Sequence, residues 1–156
     1  MSDRVPVAKT YKLFIGGAFP RSESGRTTPV SAPDGRVLAH VARGSRKDAR
    51  DAVMAARKAF PPWAAATAYN RGQVLYRLAE VMETRADALA AVCAGREEVA
   101  TAVDRVVWYA GWADKLAQVL GSSNPVAGPY FNFTFPEPTG VVAVLAPDEP
   151  ALDGLV

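Results

Sequence analysis

Few side chains in this sequence could carry out covalent or metal chemistry. The chain has one cysteine, Cys93, and one histidine, His40, so it can form no internal disulfide and offers no zinc-ligand spacing. Cys93 lies on an apolar stripe at helical spacing, without a basic neighbour that would favour the thiolate. The pattern therefore predicts a buried packing thiol rather than a nucleophile.

Carboxylates near the C-terminus are the other candidates for chemistry. Paired carboxylates can act as general acid and base or hold a metal ion. These lie in a predicted loop without a histidine or cysteine partner, which favours a solvated turn. The group consists of Glu137, Asp148, Glu149 and Asp153. Neither a Gly-x-Gly-x-x-Gly motif nor a P-loop occurs in the sequence. These residues therefore predict no metal ligand and no catalytic group.

The charge distribution is uneven along the chain. Residues 1–60 carry 12 Lys and Arg against 5 Asp and Glu, whereas residues 61–156 carry 6 against 11. The basic residues of the front part are scattered singly and have no interleaved aromatics, which favours a solvated surface over nucleic-acid binding. The N-terminus lacks a signal-peptide core, and no apolar run approaches ~18 residues. These features predict a soluble cytoplasmic protein.

An unbroken apolar run from Val141 to Ala146 is the clearest structural signal in the chain. Gly140 precedes the run and Pro147 stops it. A continuous apolar strand is typical of a parallel sheet covered on both faces. Ligands in such sheets bind beyond the carboxyl ends of the strands, so the pattern predicts a cofactor or substrate near residues 147–150.

The preceding elements are expected to be short strands and then three helices. Turn signals at Gly16-Gly17 and Pro33-Asp34-Gly35 separate strands predicted over residues 11–15, 27–30 and 37–41. Apolar residues at three- and four-residue spacing predict helices over 45–60, 67–94 and 97–120, the first ended by Pro61-Pro62. A loop is predicted over 121–129. The alternating segment 130–135 predicts an edge strand with one apolar face.

Two segments resemble the aldehyde dehydrogenase superfamily. Residues 137–142, Glu-Pro-Thr-Gly-Val-Val, are similar to the Glu-Pro-Val-Gly-Val-Val that enters the first strand of the family's cofactor domain. Residues 109–113, Tyr-Ala-Gly-Trp-Ala, resemble a helix of the same family. The resemblance runs from about Tyr11 to Val156 and corresponds to the N-terminal third of a typical member.

The resemblance implies an α/β fold class and a division of the chain. Expected are the family's N-terminal short strands, three α-helices, a β-hairpin segment and the first strand of a Rossmann-like parallel sheet. Residues 1–128 would form the N-terminal strands and helices of the cofactor-binding domain. Residues 129–140 would be an oligomerisation-type hairpin, and residues 141–156 would be the first strand and following turn of an incomplete domain.

The family activity implied is NAD(P)-dependent oxidation of aldehydes to acids. The family's catalytic Cys and Glu lie downstream of the strand, so the resemblance assigns no catalytic residue to this chain. Leu145, Ala146 and Pro147 would border an NAD or NADP cofactor. The family follows this proline with Trp and Asn, whose amide stabilises the oxyanion, whereas this chain has Asp148 and Glu149. A carboxylate there would repel a developing oxyanion.

The expected function is therefore that of a truncated or non-catalytic aldehyde dehydrogenase family member. One alternative is an assembly or regulatory subunit of a competent aldehyde dehydrogenase, and another is a weak nucleotide-binding α/β module. A further alternative is that the chain is the front part of a genuine NAD(P)-dependent dehydrogenase. Association with a copy of itself or with another aldehyde dehydrogenase chain would use Phe131, Phe133 and Phe135, since exposed apolar edges favour pairing.

Overall fold

The computed structural model describes residues 7–156, which fall into two compact units that meet in the sequence at Phe60 and Pro61. The first unit contains a three-stranded sheet in the order β1-β3-β2. Its strands are β1 (Lys9–Tyr11), β2 (Thr27–Ser31) and β3 (Val37–Ala42). β1 pairs parallel with β3, and β2 pairs antiparallel with it.

The predicted turns of the first unit are present. Gly16 and Gly17 have φ of 59° and 82° and link a single bridge between Ile15 and Ala18. Because L side chains disfavour positive φ, glycine suits both positions. Gly35, with φ of 82°, closes the turn between β2 and β3 by donating to the Ala32 carbonyl at 2.9 Å. The first strand was predicted too far along the chain, since β1 ends at Tyr11.

Helix α1 (Arg46–Ala65) begins as predicted but continues through Pro61 and Pro62. The expectation that these prolines end the helix is wrong. Each proline removes one N–H donor, but its fixed φ near −65° is itself helical, so the backbone can continue. The last turn closes when the N–H of Ala66 donates to the Pro62 carbonyl at 3.2 Å.

The predicted second helix is broken in two. Helix α2 (Ala68–Thr84) is followed by the single-turn α3 (Ala86–Ala90), and Arg85 between them has non-helical φ and ψ of −108° and 17°. The Thr84 hydroxyl donates to the Glu80 carbonyl at 2.8 Å, a side-chain bond that competes with the helical one and bends helices. Cys93 consequently lies beyond α3 and is half-buried, so its prediction as a buried helical thiol is wrong.

Helix α4 (Arg96–Leu120) matches its prediction and packs along α2. Gly95, with φ of 114°, separates it from the preceding turn. The buried core between the helices is small and consists of Ala79, Met82, Ala102 and Val106, with Leu75, Leu89, Val103, Leu152 and Val156 packed against it. Two residues of this set, Leu152 and Val156, come from the C-terminal segment, so that segment completes the helical core.

Residues 121–135 form a hairpin. Strand β4 (Ser122–Asn124) pairs antiparallel with β5 (Asn132–Thr134). The prediction of an irregular loop over 121–129 missed β4, because its Ser-Ser-Asn sequence has neither the alternation nor the β-branched residues that indicate a strand. The predicted strand at 130–135 is confirmed in its central residues.

The apolar run Val141 to Ala146 forms no strand, and all six residues are exposed. The prediction of a buried parallel strand is therefore wrong for this segment in this structure. A strand exists only when its N–H and C=O groups pair with a neighbour, and no described segment of the chain pairs with this one. Among residues 7–156, none of the helices combines the length and apolarity that a membrane span requires.

Candidate functional site

The predicted cofactor-bordering residues Leu145, Ala146 and Pro147 lie in the exposed segment that ends the second unit. Leu145 is 96% exposed, and Val144 before it is 68% exposed. All three predicted residues are exposed, and none of them is part of a strand. By themselves they form no crevice that could enclose a dinucleotide.

A compact turn follows these residues. Gly154 lies directly against the ring of Pro147, so a Cβ at position 154 would overlap that ring and approach the Pro150 carbonyl oxygen to 3.1 Å. The turn closes with a hydrogen bond from the Gly154 N–H to the Pro150 carbonyl at 3.1 Å. The close contact requires a residue without a side chain at position 154.

Glu98 at the start of α4 anchors this turn. Its carboxylate accepts hydrogen bonds from the backbone N–H groups of Ala94 and Leu152, both at 2.7 Å, and of Asp153 at 3.4 Å. The Ala94 bond is the main cause that lowers the pKa of Glu98, and the Leu152 and Asp153 bonds act in the same direction. One carboxylate therefore joins the turn before α4 to the turn after Pro147.

Arg105 makes the second link between α4 and the C-terminal turn. Its guanidinium Nη2 lies 3.0 Å from Oδ2 of Asp153, and its Nη1 donates to the Asp153 carbonyl oxygen at 2.8 Å. The expectation that the acidic residues form a solvated turn is therefore wrong for Asp153, whose side chain is largely buried. Asp153 is drawn inward because a guanidinium can satisfy a side-chain oxygen and a backbone carbonyl together.

Asp148 and Glu149 are exposed, as is Glu137, which agrees with the solvated reading of these three carboxylates. Within residues 7–156, no cluster of histidine, cysteine, aspartate and glutamate side chains is arranged to hold a metal ion. His40 lies in the first unit of the chain and Cys93 in the second. The contacts of Glu98 and Arg105 thus fix the C-terminal turn in place, and the described residues do not form a catalytic site around it.

An apolar groove of about 760 Å³ lies between α2, α4 and the C-terminal residues of the second unit. Its walls are almost entirely hydrocarbon and aromatic surface. Trp108 is in contact with both Tyr109 and Trp112, with ring centroids 4.9 and 5.5 Å apart. The other lining residues are Leu75, Leu78, Val106, Ala113, Leu116, Leu120, Leu155 and Val156. Trp108, Tyr109 and Trp112 therefore form a wall of an open groove, although aromatic residues at helical spacing are typical of a buried core.

Sequence reasoning missed the anchoring roles of Glu98 and Arg105. In the sequence, Glu98 is recognisable only as an acidic residue in the first turn of a helix, where negative charge is favourable. The bonds from Glu98 to Leu152 and Asp153 span 54 and 55 residues, and the Arg105–Asp153 contact spans 48. No local pattern carries such a signal.

A family model described as the aldehyde dehydrogenase family matches residues 19–149. The chain is 39% identical to a mitochondrial benzaldehyde dehydrogenase of Antirrhinum majus over 157 aligned residues, which cover 91% of this chain and 29% of that protein. It is 38% identical to the mitochondrial aldehyde dehydrogenase family 2 member B4 of Arabidopsis thaliana, over 87% of this chain and 27% of that protein.

The fold agrees with these sequence matches. An NAD+ complex of an aldehyde dehydrogenase from Bacillus cereus superposes with a TM-score of 0.71 at 30% identity, over 80% of this chain and 27% of that one. The chain therefore belongs to the aldehyde dehydrogenase family, and its predicted fold class, the N-terminal α/β part of that fold, is confirmed. The chain spans less than a third of the length of the relatives it matches.

Proposed function

We propose that this chain supplies the front part of an aldehyde dehydrogenase cofactor-binding domain and does not itself oxidise aldehydes. In this proposal Leu145, Ala146 and Pro147 border NAD or NADP only when other aldehyde dehydrogenase sequence completes the sheet. The observation that carries the proposal is the exposed, unpaired apolar run Val141 to Ala146, which contains two of these residues and ends at the third. Such a run is ready to pair with a neighbouring strand.

The residues of the chain fit a positioning role in that domain. Glu98 and Arg105 hold the turn over residues 152–154, and Gly154 in that turn supports the ring of Pro147. The end of the apolar run is thereby held on α4, although the run itself is unpaired. When bound, the cofactor would accept a hydride from the substrate. The three bordering residues would supply only an apolar surface and backbone groups beside it.

Glu149 supports the non-catalytic part of the proposal. It stands where the family resemblance places an amide donor, and its carboxylate is exposed and carries negative charge. A donor at such a position stabilises an oxyanion by about 3–4 kcal/mol, or 10²–10³ in rate. A carboxylate can only accept hydrogen bonds and would raise the energy of that anion.

The first test is a titration of the isolated chain with NAD+ and NADP+, followed by tryptophan fluorescence. Trp108 and Trp112 lie in the same unit as residues 145–147 and report on that unit. We expect no saturable change, because the bordering residues form no crevice by themselves. Saturable binding would instead support the alternative of a weak nucleotide-binding module.

A chimera tests the assembled site. In it, the chain replaces the aligned front part of the Bacillus cereus aldehyde dehydrogenase. We expect the chimera to bind NAD+ but to oxidise aldehyde at least about a hundredfold more slowly than the same chimera with Glu149→Asn. Glu137→Gln, which removes another exposed carboxylate, is the matched control and should leave the rate low. Full activity of the unmodified chimera would overturn the proposed loss of chemistry.

The hairpin favours a second function, association with another aldehyde dehydrogenase chain. Phe131 is 77% exposed, and the rings of Phe131, Phe133 and Phe135 follow one another with centroids 5.2 and 5.8 Å apart. Strand β5 pairs only with β4 among the described strands, so its other edge is available. An exposed aromatic face beside an available strand edge suits pairing between chains.

Co-purification with a full-length family member tests this association. Phe131→Asp places a charge in the aromatic face and should abolish the complex. Tyr69→Asp removes another exposed aromatic residue, on α2 and 62% exposed, and should leave the complex intact. If both variants still co-purify, the hairpin is not the contact surface.

A further inference from the structure

The first unit contains a basic pocket that the proposed function does not use. The pocket has a volume of about 320 Å³ and is lined by three cationic residues, Lys12, Arg21 and Arg26. Its remaining walls come from Thr10, Tyr11, Ser22, Gly25, Thr27 and Ala42. We infer that this basic pocket binds a small phosphate-bearing anion, such as a diphosphate group, through its phosphate oxygens.

The sheet register brings these residues together. Tyr11 is paired with Val41, so Lys12 follows beside Ala42 at the end of β3. Thr27 is paired with the same Ala42 from the other side. The pocket therefore lies at the end of the sheet where β1 and β3 finish and β2 begins. The loop from Arg21 to Arg26, which leads into β2, supplies the other cationic residues.

Asp48 holds that loop in place from within the same unit. The buried Ser22 hydroxyl lies 2.6 Å from Oδ2 of Asp48, and the Glu23 N–H donates to Oδ1 at 3.1 Å. The Gly25 N–H donates to the Ser22 carbonyl at 3.0 Å, which closes the loop on itself. Because hydrogen bonds already hold the loop backbone, ligand binding would need to order only the side chains of Arg21 and Arg26 and not the loop that carries them.

Within the described part of the chain, residues 7–156, the cationic residues of the pocket, Lys12, Arg21 and Arg26, have no ion-pair partner. Glu23, the only acidic residue of the 21–26 loop, does not line the pocket. Asp48 is buried, and its two oxygens already accept bonds from Ser22, Glu23 and Ser45. Three like charges around one small space are most stable with an anion between them.

The chemistry of the walls favours phosphate oxygens. Two guanidinium groups suit bidentate phosphate contacts, and a lysine adds a third charge. The hydroxyl groups of Thr10, Tyr11 and Thr27 can donate to the remaining oxygens. The volume lies at the lower end of the range for small-molecule sites and matches a small ligand. A nucleic acid would need an extended track of cations, whereas these three line a single small pocket.

Titration of the intact chain with inorganic pyrophosphate at constant ionic strength tests this inference. Amide chemical shifts from ¹⁵N spectra would give both the affinity and the location of binding. We expect saturable shifts at Lys12, Gly25 and Thr27. Arg26→Glu should weaken binding at least about tenfold, since it replaces a charge-assisted bond by repulsion.

Arg36→Glu is the matched control, because it changes the net charge equally at an exposed position outside the pocket. It should leave the affinity within about twofold, apart from weak long-range screening. Lys12→Arg keeps the charge and should retain binding. Retained amide shifts at Glu23 and Ser45 would show that the Arg26→Glu loop is still folded.

Two results of the pyrophosphate titrations would overturn the inference. One is the absence of saturable pyrophosphate shifts, and the other is an equal loss of affinity in Arg26→Glu and Arg36→Glu. A single-stranded oligonucleotide serves as competitor. If it binds and pyrophosphate does not displace it, the surface recognises a polymer and the small-anion site is wrong. NAD+ binding near residues 145–147 is read from the second unit, so failure of either proposal is distinguishable from failure of the other.

Discussion

Two buried carboxylates, Asp48 and Glu98, organise the described residues of this chain through backbone N–H groups. Asp48 belongs to a capping box, in which the Ser45 N–H donates to Oδ2 of Asp48 at 2.7 Å and the Asp48 N–H donates to the Ser45 hydroxyl at 3.2 Å. Glu98 accepts hydrogen bonds from the backbone N–H of Ala94, before α4, and from that of Leu152, in the C-terminal turn. Each carboxylate satisfies backbone donors that would otherwise be unpaired near the protein interior.

Asp48 also gives the chain a defined response to acid. The Ser22 hydroxyl is the main cause that lowers the pKa of Asp48 far below its ordinary value of 3.8, and backbone donors add to it. A lowered folded-state pKa stabilises the fold at a pH above the ordinary value, and this stabilisation is lost as the pH falls below it. The contribution of the Asp48 carboxylate to the free energy of unfolding should therefore be complete at neutral pH and diminish below about pH 4.

Asp48→Asn is expected to lower the melting temperature by several degrees at pH 7, because one oxygen acceptor is replaced by a donor facing N–H groups. The difference in melting temperature between this variant and the wild-type chain should narrow as the pH falls from about 4 towards 2. Thermal unfolding followed by circular dichroism at each pH measures this difference. Asp51→Asn, which breaks surface pairs with Lys47 and Arg50, is the control. A difference that stays constant with pH would contradict the assigned charge effect.

At the scale of elements, the pair of helices α2 and α4 depends on close backbone approach. A Cβ at Gly72 of α2 would lie 3.0 Å from the Ala110 carbonyl oxygen of α4, and both Gly72 and Ala110 are buried. Gly72 is therefore a packing requirement rather than a flexible point in the helix. Gly111 on α4 is different, because its nearest neighbour would be the end of Lys115 at 3.9 Å.

These two glycines form a matched pair for mutation. Alanine favours a helix over glycine by about 1 kcal/mol, so Gly111→Ala should raise the free energy of unfolding by up to that amount. Gly72→Ala gains the same propensity but must push a backbone carbonyl aside, and we expect a net loss of about 1 kcal/mol or more. Denaturant unfolding of both variants measures the contrast. Equal stabilisation would mean that α2 and α4 do not touch at Gly72.

At the scale of the whole molecule, each unit has its own organisation, and the second leaves much apolar surface in contact with solvent. The run Val141 to Ala146 is exposed, and the groove beside Trp108 and Trp112 is open. A small core of four buried residues supports this surface. An exposed apolar segment with unpaired backbone groups is a site of self-association. The isolated chain should therefore be marginally stable or aggregate.

Val144→Lys is expected to reduce this self-association. A charge in the middle of the exposed run disfavours pairing with a second strand and does not disturb a buried contact, since Val144 is exposed. Light scattering after size-exclusion chromatography at several concentrations measures the change. Ala100→Lys adds the same charge at an exposed position of α4 and should leave association unchanged. A wild-type chain that stays monomeric and melts sharply and reversibly would contradict the expectation.

The sequence by itself determined the elements whose signals are local. The α4 helix, the glycine turns at positions 16, 17 and 35, and strands β2 and β3 follow from periodicity and turn chemistry within a few residues. Family membership also followed from the sequence, because the segments at 109–113 and 137–142 retain the family's residues in order. The assignment of Leu145, Ala146 and Pro147 to a cofactor stays a prediction.

Only the tertiary structure decided how distant parts of the chain use each other. Whether the run Val141 to Ala146 becomes a strand depends on a pairing partner, and whether Pro61 and Pro62 end α1 depends on the bonds made around them. The roles of Glu98 and Asp48 rest on contacts that local periodicity does not encode. The basic pocket likewise exists because the sheet register places Lys12 and Thr27 on either side of Ala42. A hydrogen bond or charge pair between distant residues is set by three-dimensional proximity, which the residue pattern alone does not contain.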